Sequence, residues 1–183
     1  MAIVITYIIL GSALLFIVLL WIAVGVRHLF VLKRNVKTAW EFADEKIRKR
    51  HDVIPLAIEV CKEALSGDPH FKEVYGRLIS ARDGARRLYF PSGDKTEREY
   101  ELSFRLKEFF DFVRDHQLLK TRGVFWEIKK EIVDLEHDIE NRVEAYNEVV
   151  RKFNAARKTT LLAPLAMISR VGTALIFEFE KKA

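Results

Sequence analysis

From Met1 to Val26 the chain contains no Asp, Glu, Lys, Arg or His, and Ile3 to Trp21 is almost continuously apolar. A bilayer core is crossed by about 20 apolar residues of helix, so this run is long enough to span one. A signal peptide opens on a basic stretch and closes on a small-residue cleavage site. Here no Lys or Arg precedes the run and no Ala-x-Ala follows it, so the expectation is an uncleaved anchor over residues 1–26. Arg27, Lys33, Arg34 and Lys37 come next. Basic residues are retained on the cytoplasmic face, which predicts a single pass with the N-terminus outside and the bulk inside.

The remainder has the composition of a packed helical domain. Half of the 183 residues are apolar, yet the mean hydropathy is -0.01, so the apolar residues are concentrated. Eight glycines and four prolines are few for a turn-rich β fold or a disordered chain. Cys61 has no second cysteine to pair with and reads as a small core residue. Acidic and basic residues are interspersed under a net charge of +5. That pattern disfavours a nucleic-acid footprint and leaves the lipid bilayer as the charged partner.

Apolar side chains then recur at steps of three and four. Val36, Trp40, Ala43, Ile47, Ile54, Ile58, Cys61 and Leu65 form one helical face. Gly67 stops that helix, and Asp68-Pro69 caps and opens a second, with Phe71, Tyr75, Leu78, Ala85 and Tyr89 as its stripe. Pro91-Ser92-Gly93 breaks the chain. Asp94 with Glu97 resembles a capping box for a third helix, whose core stripe is Leu102, Leu106, Phe109 and Val113. A fourth runs from Phe125 to Phe153 without Gly or Pro. Helices joined by short loops pack antiparallel. The fold expected is all-α: an N-terminal transmembrane helix continuing into an antiparallel up-down four-helix bundle over residues 27–158. An apolar tail, 159–183, is expected at the membrane end, packed on the bundle base or the membrane surface. As a second span the tail is poor, because Pro164 and Gly172 interrupt it and Arg170 sits at its centre.

Lys49-Arg50-His51-Asp52 interrupts the first face, and Pro55 follows. The step pattern puts Arg50 on the seam, where a charge needs a partner. Aligning the first and fourth helices antiparallel brings Arg50 level with Asp134 and Glu136, Trp40 near Tyr146, and Asp44 near Asn147 or Arg142. One reading is therefore a structural polar cluster of Arg50, His51, Asp52, Asp134 and Glu136 that fixes helix register. The other is a solvated stripe with Arg50 snorkelling. Pro55 removes a backbone hydrogen bond and is expected to bend the helix.

No catalytic, cofactor or metal site is expected. None of the five histidines follows a Glu by three residues, the pattern a di-metal bundle uses. HExxH, G-x-S-x-G and Gly-rich phosphate loops are missing as well. Phe104 falls opposite the third helix's stripe, with Phe110 and Phe112 on its flanks. Together with Leu118 and Leu119 they form a candidate partner-binding patch.

The run Asn35-Val36, Ala39-Trp40, Asp44, Lys49-Arg50-His51-Asp52 and Ile54-Pro55 resembles the opening signature of the LemA family. Glu136, Ile139, Tyr146-Asn147, Val150 and Phe153-Asn154 resemble its closing pattern. The chain looks like a divergent member, with Leu56 where the family usually carries Asn and no Gly-Phe ending. The resemblance implies a bacterial inner-membrane protein with a short anchor and a helical bundle, and no established enzymatic activity. It also implies, for some members, a link to membrane proteolysis and quality control. The function expected is a membrane-anchored, non-enzymatic adaptor that binds a membrane or cytoplasmic protein, a membrane protease among them by resemblance. The alternative is a membrane-organising scaffold that self-associates and binds lipid.

Overall fold

The computed structural model describes residues 1–114, 116, 123–159 and 161–179. Among these residues all regular structure is helical: α1 Ala2–Leu65, α2 Pro69–Arg86, α3 Gly93–Arg114, α4 Gly123–Arg157 and α5 Ala163–Ile168. The chain divides into two compact units, Met1–Thr38 with Glu148–Ala174 and Ala39–Asn147 with Leu175–Ala183. Both α1 and α4 run unbroken through a border, and the tail is shared between the units.

In the larger unit four helices build one core. Ile54, Ile58, Cys61 and Leu65 of α1 meet Phe71, Val74, Leu78 and Ala85 of α2, Leu102, Leu106, Phe109 and Val113 of α3, and Phe125, Ile132 and Leu135 of α4. Side-chain pairs fix the directions. Trp40–Tyr146, Lys46–Asp138 and Lys49–Glu131 run α1 and α4 in opposite senses. Asp52–Arg86 with Lys62–Tyr75, and Phe71–Phe112 with Arg77–Glu108, do the same for α1 with α2 and for α2 with α3. The up-down-up-down order follows, with α1 and α3 parallel across the bundle.

The helix boundaries have local causes. Asp68 accepts hydrogen bonds from the backbone N–H of His70 (2.8 Å) and Phe71 (3.4 Å), and Pro69 occupies the first turn of α2. The cap of α3 is Ser92, whose Oγ accepts from the Lys95 N–H at 3.1 Å, and not Asp94. Helix α3 has already begun at Gly93, which places Asp94 inside the first turn, where a carboxylate still favours the helix dipole. On α2 the stripe includes Val74 and Ala81, while Tyr75 is only half-buried and Tyr89 lies beyond the helix and exposed.

In the smaller unit the residues of α1 from Ile3 to Val24 are exposed. Among the described residues α1 is the one helix long and apolar enough to cross a membrane. Short α5 buries Leu165 and Ala166 against Leu29, with Val26 and Leu162 at the margin. It ends in a Schellman pattern: the Val171 N–H returns to the Ala166 carbonyl (3.0 Å) and the Arg170 N–H to that of Met167 (3.2 Å). This geometry places Arg170 in the left-handed region, at φ 52°. A non-glycine residue there costs about 1 kcal/mol.

Replacing the α2 cap tests this account. Asp68→Ala is expected to lower the unfolding free energy of the detergent-solubilised chain by about 1 kcal/mol, measured by chemical denaturation. No change would mean that water serves those N–H groups equally well.

Candidate functional site

The core stripe of α3 extends backward at the same steps: 95, 99, 102, 106, 109, 113. It therefore carries Lys95 and Glu99 into the interior, and all six residues are buried. Arg50 and Glu99 are both fully buried, at 0% exposure, with Nη2 and Oε2 2.8 Å apart. Arg50 Nη1 also donates to Ser103 Oγ at 2.9 Å and lies 3.6 Å from Glu136. His51 Nε2 sits 3.0 Å from Glu99 Oε2. An ionised carboxylate can only accept, so this nitrogen carries the proton. Lys95 Nζ donates to the Leu88 carbonyl (2.7 Å) and lies 3.1 Å from Asp44 and 3.6 Å from Glu99. The four formal charges of Arg50, Lys95, Asp44 and Glu99 cancel, which makes their burial tolerable.

Burial alone would push the Glu99 carboxyl up. The His51 hydrogen bond and the Arg50 and Lys95 charges outweigh that and hold it below the usual carboxylate range.

Of the fourth-helix carboxylates expected to pair with Arg50, Glu136 does so at 3.6 Å, and a closer partner comes from α3. Glu99 and Ser103 hold its guanidinium, Glu136 is a more distant second carboxylate, and Asp134 is exposed. The expectation came from aligning two helices. In a four-helix bundle a residue at the centre of one face also looks across at the parallel helix, and α3 supplies the nearer anion. Asp52 is exposed and pairs with Arg86 at 3.2 Å. Asp44 is buried, and its charged partners are Arg48 (2.6 Å) and Lys95 rather than Asn147 or Arg142. Trp40 meets Tyr146 edge to face at 5.2 Å and donates its indole N–H to the Tyr89 carbonyl at 3.0 Å.

Helix α1 passes through Pro55 unbroken. Proline has no N–H for the carbonyl four residues earlier, which belongs to His51. Arg82 of α2 takes up that carbonyl through its Nε. The motif is thus used at every position. Arg50 and the His51 ring bind Glu99, the His51 carbonyl binds Arg82, and Asp52 binds Arg86.

Beyond α5 the tail is extended, and Leu175 to Phe179 belong to the larger unit. Asn147 mimics a strand neighbour: its Nδ2 donates to the Phe177 carbonyl (2.7 Å) and its Oδ1 accepts from the Phe177 N–H (2.9 Å). Within the other unit Asn154 does the same for Ala174, at 2.9 and 3.0 Å. Seven helical residues rise about 10.5 Å and three extended residues span about 10 Å, so the spacing of the asparagines suits the spacing of the residues they hold. Tyr146, its phenol pushed up to about 12 by burial, donates to the Leu175 carbonyl at 2.7 Å. Phe177 packs on Trp40 at 5.0 Å, and Phe179 lies under the Arg50 guanidinium at 4.7 Å.

The aromatic patch expected on α3 is redrawn. Phe110 and Phe112 are drawn into the interior, Phe110 against Phe109 and Phe125, and Phe112 against Phe71 and His70. Leu118 and Leu119 lie outside the described residues. Phe104 stays exposed, at 56%. One helical turn away, exposed Tyr100 borders a groove completed by Thr96, Glu97 and the tail residues Ile176 and Glu178. Among the described residues there is no group of three or more His, Cys, Asp or Glu arranged to hold a metal ion.

Two variants probe the cluster and the clamp. Glu99→Gln leaves Arg50 and Lys95 without their shared anion and is expected to cost on the order of 3 kcal/mol in denaturant unfolding. Because the folded pKa of Glu99 is depressed, its stabilisation is present above the unfolded carboxyl value and is lost as pH falls through the folded one. The acid-side decline of stability should therefore be shallower in Glu99→Gln than in the parent. Asn147→Ala should raise hydrogen exchange at the Phe177 amide at least tenfold, and an unchanged rate would mean the clamp contributes nothing.

A family model for the LemA family matches residues 39–183, which takes in the bundle, the charge cluster and the whole tail. Comparison with curated proteins finds no match. The matched span covers most of the chain, and with it the Trp40, Arg50-His51-Asp52 and Tyr146-Asn147 positions whose contacts are described above: this protein belongs to the LemA family.

Proposed function

We propose that this protein is a single-pass anchored, non-enzymatic binding module of the bacterial inner membrane. Its N-terminus lies outside, and its cytoplasmic bundle recruits another protein. Met1 to Val26 forms the span, and the basic residues from Arg27 to Lys37 hold the following chain on the cytoplasmic side. Asp44, Arg50 and His51 of the family signature turn inward and meet two buried residues of α3, Arg50 and His51 on Glu99 and Asp44 on Lys95. Their role in this reading is to build a rigid body on which a surface can be displayed.

The observation that carries the binding role is the exposed aromatic pair Tyr100 and Phe104, one turn apart on α3, beside the groove that Ile176 completes. Large apolar side chains grouped on a packed surface mark places where a partner is bound. Family resemblance points to proteins of membrane proteolysis and quality control as the partners to look for first.

Photo-crosslinking in membranes tests the proposal. A benzoylphenylalanine at position 104 or 100 is expected to give discrete adducts to another protein, and one at exposed Glu140 is not. Adducts only to lipid or to a second copy would overturn the adaptor reading. Orientation is checked separately by protease digestion, which should cut the bundle in inverted vesicles and spare it in intact spheroplasts.

A further inference from the structure

The turn after α4 and helix α5 present an apolar surface of their own. Leu161, Met167 and Ile168 are exposed at 67%, 80% and 79%. They lie on a segment whose other face is fastened to α1, with Leu165 and Ala166 packed on Leu29. The fastening is close. A Cβ on Gly25 would stand 2.3 Å from Leu165 Cδ1, so a larger residue there would make the Leu165 side chain shift. Leu161 lines an apolar groove together with Ile17, Leu20, Trp21 and Val24 of α1. Those four residues belong to the uncharged run. The turn therefore sits beside the last two turns of the segment read as the membrane span.

Charge supports the same placement. Arg27 on α1, Lys158 at the end of α4 and Arg170 after α5 are exposed around this apolar surface. Arg170 holds the left-handed position that glycine fills most readily, so a cation stands where the backbone favours the smallest residue. Apolar side chains with flanking cations are what a helix lying in the headgroup region presents.

We infer that the α4–α5 turn and α5 form a second, interfacial membrane contact. Leu161, Met167 and Ile168 enter the acyl–headgroup boundary, and Arg27, Lys158 and Arg170 meet anionic headgroups. The partner is the lipid surface. This rests on the reading of residues 1–26 as a span, because the anchor sets the depth of everything fastened to it. A rigid clasp at Gly25 would fix the angle and height at which the chain leaves the bilayer.

The experiment uses full-length chain in vesicles of phosphatidylethanolamine and phosphatidylglycerol. Single cysteines at Leu161, Met167 and Ile168 carry an environment-sensitive nitrobenzoxadiazole label, and the buried Cys61 of the parent chain gives the labelling background. Quenching by lipids brominated high or deep on the acyl chain reports depth. Leu14→Cys serves as the anchor control and Lys107→Cys as the water-facing control. Expected is at least twofold stronger quenching at 161, 167 and 168 than at 107, greatest with the shallow bromines, while position 14 is quenched best by the deep ones. Should position 14 respond and the three test sites match position 107, the interfacial contact is overturned and the anchor stands. That result would also follow if a second copy covered the surface. An unquenched position 14 would overturn the anchor, and the inference with it.

Discussion

The larger unit is organised around one interaction, the buried pair between Arg50 and Glu99. It crosses the core between the two parallel helices, where a bundle usually places only hydrocarbon. A pair of this kind adds little net stability over apolar packing, because each ion gives up its hydration to enter the core. What it adds is selectivity among arrangements. A shift of α3 by one turn would bury Glu99 against methyl groups and leave Arg50 unmatched, so wrong registers are penalised far more than the right one is rewarded. His51, Lys95, Asp44 and Ser103 extend that constraint in both directions along the two helices.

Much of this fold was legible because helical periodicity is a local property. The stripes of α1, α3 and α4 and the Asp68-Pro69 start follow directly from residue spacing. Glu136 near Arg50 also followed, but the closer partner Glu99 did not, since a one-dimensional alignment of two helices carries no information about a third. A signal was present nonetheless. Carrying the Leu102–Val113 stripe two steps back lands on Glu99 and Lys95, and charged residues on a core face are informative because their burial demands compensation. Ser92 was overlooked as a cap because Asp94 with Glu97 fits the same template two residues later.

The tail was legible in composition and illegible in conformation. Its apolar content asks for cover, which Leu165, Ala166, Phe177 and Phe179 receive, while Met167 and Ile168 stay exposed. The extended conformation did not follow, because its backbone partners are asparagine side chains from α4 rather than another strand. Alternation was the available clue. Phe177 and Phe179 point inward on either side of exposed Glu178, a period of two at odds with a helix. Asn147 and Asn154 belong to the family pattern, but the pattern alone does not tell that each amide binds both the N–H and the carbonyl of one tail residue.

Phe177 and Phe179 have a consequence for how the molecule is made. These rings cap Trp40 and Arg50, yet a ribosome delivers them more than a hundred residues later. During synthesis the hairpins can therefore assemble around a hub of charge that stays open on one side until its lid is translated. A chain halted before Phe177 would keep the apolar contacts among the four helices and leave Trp40 and the Arg50 guanidinium without the rings that pack on them.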